Sequence, residues 1–442
     1  MSDSKVLGVL ILARHGDRQG FYQSPTSYTP TATKITPLGN REEFLLGQYL
    51  RARYLNASSP TFISNVNASI VDPNQVLVRA DAGGEGGVIL QSAMSLTQGL
   101  FPADADYNTT LANGTTVQGP LDGYQYVSIE SVEPNNDISL EGWTSCSAFD
   151  KSTQEFYQSP EFKQKATESQ SFLSQLARFL DGRPVTLDNM WNIFDFMNVR
   201  NIHDQEFHNN LPPTFLQQAR HLANYHEYGV FSDKELNGIG NIAFRTTIPS
   251  VVKNLNSIAN DTDPLKFVYY ATAYKPFLSL FNMTGVAQMN PDLAGIVNYA
   301  GTVALEVRQL ADSSKVVRFN FKNGTEDTYK RYPFMGSSSG EVPLEQFIQH
   351  LQPAAINSTA DWCTVCGNDK DRGCGALALA ASQAQESIHQ KISPVGAGVL
   401  GAGLTLFVAI VMLLVLSFLG LVAFGKKGKR RSIGSVTSYE KA

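Results

Sequence analysis

The chain has 442 residues, 43% of them hydrophobic and 17% charged, with a formal net charge of -5. That length suits one large α/β unit or roughly two to three ordinary domains. The mild acidity argues against nucleic acid as the main partner, since that needs a basic face. Val6 to Leu12 is a short apolar run with β-branched content, which predicts a fully buried strand. Arg14 to Arg18 is the loop after it. Pro37 to Tyr54 carries apolar residues at helical spacing, beginning Leu38, Phe44, Leu45 and Tyr49. Gln75 to Arg79 predicts a second buried strand, and Ile89 to Gly99 the helix that follows. Strand, loop, helix, strand, helix indicates an α/β fold with a parallel-type sheet flanked by helices.

Residues 151–258 change character. Long helical patterns such as Glu161–Leu180 and Phe215–Tyr228 dominate there, and strand runs are few, so a helical cap insertion is expected. Strand patterning returns at Leu265–Tyr270, Thr302–Arg308 and Val316–Phe321. Both ends of the chain therefore build one sheet. The expected division is a domain over 1–374, with its α/β core at about 1–110 and 260–355 and its cap at about 150–258. A polar, Ala/Gln/Ser-rich stalk follows over 375–394.

Val395 to Phe424 carries no charge and is rich in Leu, Val, Ala and Gly. A membrane span needs roughly 20 apolar residues, and a buried core helix is seldom apolar all round at this length. Lys426, Lys427, Lys429, Arg430 and Arg431 come directly after, and basic residues stay cytosolic. One C-terminal transmembrane helix is expected, with a cytosolic basic tail over 425–442 and the large domain extracellular or lumenal. Eight Asn-x-Ser/Thr sequons agree with that side: Asn56, Asn67, Asn108, Asn113, Asn260, Asn282, Asn323 and Asn357. All four cysteines, Cys146, Cys363, Cys366 and Cys374, precede the span. An even count outside the cytosol suggests disulfides, with the pairing open; zinc at Cys363-x-x-Cys366 is the competing reading. Met1–Lys5 lacks signal-peptide character, so this topology expects a leader that the sequence does not contain.

Arg14-His15-Gly16-Asp17-Arg18 carries the chemistry. Following a buried strand, it is expected at the C-terminal edge of the sheet, where open α/β folds bind ligands. Arginine forks match phosphate oxygens and keep their charge. Histidine is a competent nucleophile towards phosphorus. Gly16 is expected to let the backbone approach a ligand closely. A solvated basic turn is the plain alternative.

LILARHGDR (Leu10–Arg18) resembles the Arg-His-Gly-x-Arg motif of the histidine acid phosphatases, within the phosphoglycerate-mutase-like superfamily. Ile35–Tyr54 is similar to that family's next helix, matching at Gly39, Gly47, Arg51, Arg53 and Tyr54. Gln75–Pro102 resembles the family segment that ends in Ser-Ala and Gly-Leu-Phe-Pro. Phe194–Phe207 and Leu222–Val230 look most like fungal-type members. The resemblance covers about residues 6–375 and implies a phosphohistidine mechanism. His15 would attack phosphorus, Arg14 and Arg18 would hold the phosphoryl oxygens, and no cofactor or metal is implied. Arg79 is retained in the matching segment and is expected to bind phosphate.

Two departures qualify this expectation. Where the family places a further arginine, four residues before Ser92, this chain has Val88, preceded by a Gly-rich insert (Ala82–Gly87) containing Glu85. Where the family has its proton donor, in an Ala-His-Asp step after a late strand, this chain has Ala273-Tyr274-Lys275. Tyr274 and Lys275 are therefore possible pocket residues, and the general acid is altered or lost. His203-Asp204, His208, His221, His226 and Glu227 are read as structural. The expected function is a membrane-anchored acid phosphatase or phytase-like phosphomonoesterase acting on a phosphomonoester or phosphate anion. The alternative is a catalytically inactive phosphoanion-binding or structural cell-surface glycoprotein on the same fold.

Overall fold

The computed structural model describes residues 4–20, 33–84, 87–389 and 394–419. Two compact units part between Leu377 and Ala378. The larger is built on a mixed sheet of eight strands: β1 (Lys5–Arg14), β2 (Val76–Asp81), β3 (Ile129–Val132), β4 (Phe267–Thr272), β5 (Thr302–Gln309), β6 (Lys315–Lys322), β7 (Lys330–Arg331) and β8 (Glu341–Pro343). Their order is β8-β6-β5-β1-β4-β2-β3, with β7 beside β6.

The β1–β4, β4–β2 and β2–β3 pairs are parallel, as the sequence predicts. The other half is antiparallel: β5 against β1, β6 against β5, β8 against β6. An all-parallel sheet would need crossover helices there. Instead β5 and β6 are joined by a tight turn at Leu310–Ser314, with Ser313 in the left-handed region at φ 69°.

Helices cover both faces. Helix α1 (Pro37–Leu50) and α2 (Val88–Leu100) bury Leu46, Leu50, Ile89 and Leu96 against Val9, Ile11, Val78 and Tyr269. Thr36 caps α1 by accepting from the Gly39 N–H at 3.1 Å, and Pro37 supplies a preset φ at the first helical position. On the opposite face lie Leu10, Leu12, Val268 and Tyr270, the alternate residues of the same strands. Leu255, Ile258, Phe277 and Phe281 pack there, from α7 (Ile248–Ala259) and α8 (Lys275–Met283).

The insertion is helical, as expected, and comprises α3 (Ser147–Gln158), α4 (Pro160–Leu176), α5 (Met190–His203) and α6 (Phe215–Val230). It has its own core around Leu173, Ile193, Met197 and Leu222. Helix α9 (Thr359–Cys366) is tied to the start of α3 by Cys146–Cys366, and Cys363 pairs with Cys374. The two cysteines of the Cys-x-x-Cys step thus serve different bridges, which removes the zinc reading.

In the second unit, α10 (Pro394–Phe418) contains one stretch, Gly398–Phe418, long and apolar enough to cross a membrane. Residues 420–424 of the expected span, the basic tail and Glu85 lie outside the described residues.

Candidate active site

The parallel register of β1 and β4 sets Arg14 opposite Thr272, so the loop after β1 emerges beside Ala273-Tyr274. That loop is clamped from both sides. His15 N–H donates to the Thr272 carbonyl at 3.2 Å, Arg14 N–H to Gly301 at 2.9 Å, and Ala300 N–H to the His15 carbonyl at 3.2 Å. Gly16 N–H donates to Ser92 Oγ at 3.0 Å. The small size of Gly16 serves packing rather than a ligand: a Cβ there would lie 2.6 Å from the Gly39 carbonyl in the first turn of α1. Asp17, fully buried, accepts from Thr36 Oγ1 at 2.5 Å and meets His203 Nε2 at 2.8 Å. His203, read from the sequence as structural, anchors the motif loop to the cap, while Asp204 pairs with Arg200.

His15 is buried, and its Nδ1 lies 2.7 Å from the Gly16 carbonyl. A carbonyl only accepts, so Nδ1 carries the proton and the imidazole lone pair resides on Nε2. Burial, then Arg14 and Arg18, hold the ring well below the ordinary imidazole value of 6.5. The ring is therefore neutral, as nucleophilic attack requires.

A cleft of about 560 Å³ opens at this loop. Arg14 and Arg18 line it. Arg14 stacks over Tyr299 at 4.3 Å and Tyr274 at 5.0 Å, and commits Nη1 to the Val297 carbonyl. Arg18 is held by Asp195 of α5 through two contacts, Nη2–Oδ1 at 3.0 Å and Nη1–Oδ2 at 3.3 Å. Tyr299 is buried against His15, with ring centroids 5.5 Å apart, and burial pushes its hydroxyl up to about 12. It remains a hydrogen-bond donor at all physiological pH values. Neither Asp195 nor Tyr299 carries a sequence signal for this location.

Tyr274 and Lys275 both line the cleft. Tyr274 Oη donates to Glu227 Oε2 at 2.7 Å. Glu227 Oε1 meets His226 Nδ1 at 2.8 Å, and His226 Nε2 meets Tyr157 Oη at 2.7 Å. His226 and Glu227, read from the sequence as structural, are buried partners of the position where the family's proton donor would stand. Lys275 Nζ sits 5.0 Å from the centre of the Trp143 ring.

Arg79 leaves the expected set. Its guanidinium bonds Glu130 at 3.0 and 3.1 Å and Asp137 at 2.6 Å, and it does not line the cleft. Two carboxylates from the β3 edge already meet its charge. Val88 is the buried first residue of α2. Other cations line the cleft instead: Arg41 of α1 and Arg220 of α6, the latter donating to the Ile296 carbonyl at 2.8 Å. Together with Arg14, Arg18 and Lys275 they face the carboxyls Glu42, Asp195 and Glu326.

A model of the histidine phosphatase superfamily, branch 2, matches residues 19–322. The chain belongs to this superfamily. Among curated relatives, the lysosomal acid phosphatase of Xenopus laevis is 23% identical over 372 residues, covering 81% of this chain and 78% of the relative. Human prostatic acid phosphatase is 22% identical, covering 81% of this chain and 87% of the relative. Among solved structures, a Hafnia alvei phytase in complex with myo-inositol hexakis sulphate superposes with a TM-score of 0.56 at 14% identity, over 81% of this chain and 98% of that one. A Citrobacter braakii phytase gives 0.55 at 13% identity, over 80% and 98%. At such identities the structural likeness concerns the fold. The curated relatives are acid phosphatases, so the expectation of a phosphatase-class enzyme holds.

Proposed function

We propose that this protein is a membrane-anchored histidine phosphatase that hydrolyses phosphomonoesters through a phosphohistidine on His15. The observation that carries the reading is the state of His15: buried, neutral, with its Nε2 lone pair selected by the Nδ1–Gly16 contact, between two arginines. Arg14 and Arg18 bind the phosphoryl oxygens, and Tyr299 donates a further hydrogen bond. In the first half-reaction Nε2 attacks phosphorus and the alcohol departs. In the second, water attacks the phosphohistidine, and phosphate and free His15 result. The five cations of the cleft favour an anionic ester. No observation specifically favours the inactive alternative. Phe194–Phe207 and Leu222–Val230 support a place among fungal-type members.

The test is phosphate release at acidic pH by the purified full chain in detergent, with an aryl phosphate as substrate. The expected result is saturable turnover that inorganic phosphate inhibits competitively. Absence of turnover over the whole range from pH 4 to 8 would overturn the reading.

The apolar helix, the basic tail and the disulfides support a single-pass topology with the large domain extracellular or lumenal and the tail cytosolic. A second expected result follows for the sequons. Asn56, Asn67, Asn108, Asn113, Asn260 and Asn357 are exposed. Asn282 commits its amide nitrogen to Asp233 at 2.7 Å and Asn241 at 3.0 Å, and Asn323 is half-buried in the cleft. Glycopeptide mapping of chain made in a secretory host should find glycans among the six and none at Asn282. Occupancy at Asn282, or none anywhere, would contradict this topology or this account of the site.

A further inference from the structure

The family's proton-donor position holds Tyr274 and Lys275, and neither suits the task. Tyr274 already donates to Glu227, and Lys275 lies against Trp143. A departing alkoxide needs a proton, and that assistance is worth about 10²- to 10⁴-fold. The cleft itself contains three carboxyls. Asp195 is engaged by Arg18, with both carboxylate oxygens taken up by the guanidinium. Glu326 is exposed. Glu42 differs from both. It comes from the first turns of α1, is half-buried, and no cation pairs with it among the described residues. Its Oε2 accepts the Asp17 N–H at 2.8 Å, which ties the carboxyl to the motif loop at a residue two along the chain from His15. Oε1 is left for the proton.

We infer that Glu42 is the general acid and base of this site, in place of the missing family donor. This rests on the proposed phosphohistidine reaction. As the His15 Nε2–phosphorus bond forms, the phosphorus–oxygen ester bond breaks, and its electron pair stays on the leaving oxygen. That oxygen takes the proton from Glu42. In the second half, water attacks phosphorus and gives a proton to the Glu42 carboxylate. The nitrogen–phosphorus bond breaks with its pair returning to Nε2, and both groups are reset.

The surroundings fit an acid. Burial raises Glu42 to about 7, with the Asp17 charge adding to it, while the Asp17 N–H, Arg14 and Lys322 pull the other way. Glu43, on the same helix, is buried with its pKa also raised by burial. Arg41 and Glu326 complete the charged lining nearby. A bound phosphate dianion adds negative charge and holds the proton more firmly.

The test is Glu42→Gln in the full chain, whose amide oxygen can still accept the Asp17 N–H. kcat/KM is read from pH 4 to 9 for an alkyl phosphate, a poor leaving group, and an aryl phosphate, a good one. The expected result is a loss of about 10²-fold or more for the alkyl ester against less than about 10-fold for the aryl ester. The wild-type decline near pH 7 should disappear in the variant. Loss of less than about 3-fold on the alkyl ester, or equal loss on both esters, overturns the assignment. His15→Ala measured alongside separates the two readings. If that variant is dead while Glu42→Gln is unimpaired, only the Glu42 role fails; if His15→Ala retains turnover, the phosphohistidine itself fails and Glu42 with it.

Discussion

Replacing His15 with alanine should abolish ester hydrolysis, with kcat falling on the order of 10⁴-fold or more. The proposed nucleophilic nitrogen is lost, and among the described residues no histidine lines the cleft to replace it. Affinity for inorganic phosphate should change by less than about 10-fold, because Arg14, Arg18 and Tyr299 remain. Calorimetric titration with phosphate, beside a turnover assay, reads both. Turnover within about 10-fold of wild type would rule out His15 as nucleophile. The ring's depressed pKa also has a sign. Because the folded ring resists protonation, the nucleophile stays neutral below pH 6.5, and activity should persist into the acidic range. The unfolded chain accepts that proton, so the same group costs stability as pH falls through 6.5. His15→Ala should therefore be less acid-sensitive in thermal unfolding than wild type.

Removing the Cys146–Cys366 bridge should be the largest stability loss available from a single covalent change. The bond closes a loop of 220 residues and joins the cap to α9. Constraint of so long a loop in the unfolded chain is worth about 2 to 5 kcal/mol. Cys363–Cys374 closes only 11 residues, and its loss should cost about 2 to 3 kcal/mol. Paired serine variants, compared by thermal unfolding of the full chain in detergent, should rank in that order. The reverse ranking would show that the long bridge does not restrain the unfolded ensemble as described. Turnover at low temperature should survive both, since neither bridge reaches the His15 loop.

The candidate site was legible where its residues are local. Arg14, His15 and Arg18 lie within one loop, and a buried strand before them sufficed to place that loop at the sheet edge. Tyr274 and Lys275 were found through their position after β4, and the register of β1 with β4 brings them to the same cleft. Arg79 misled because an arginine in a matching segment says nothing about which carboxylates meet it. Glu130 and Asp137 come from a different strand and its loop. Glu42, Asp195, Arg220 and Tyr299 gave no signal, since each is an unremarkable residue on a helix or loop whose approach to the motif is set by packing. The sheet was half legible for a related reason. Apolar runs show strands, while the direction of β5 depends on a connection that carries no period.

By itself the sequence determined the strand-to-loop placement of the Arg14–Arg18 motif, the helical character of the cap and the apolar C-terminal segment. These follow from short-range periodicity, charge and residue chemistry. Only the tertiary structure decided which cysteines pair, which arginines line the cleft and which cleft carboxyl bonds the motif loop with no cation paired to it among the described residues. Those outcomes depend on burial and on partners far apart in the chain, and burial is what lowers the pKa of His15 and raises that of Glu42.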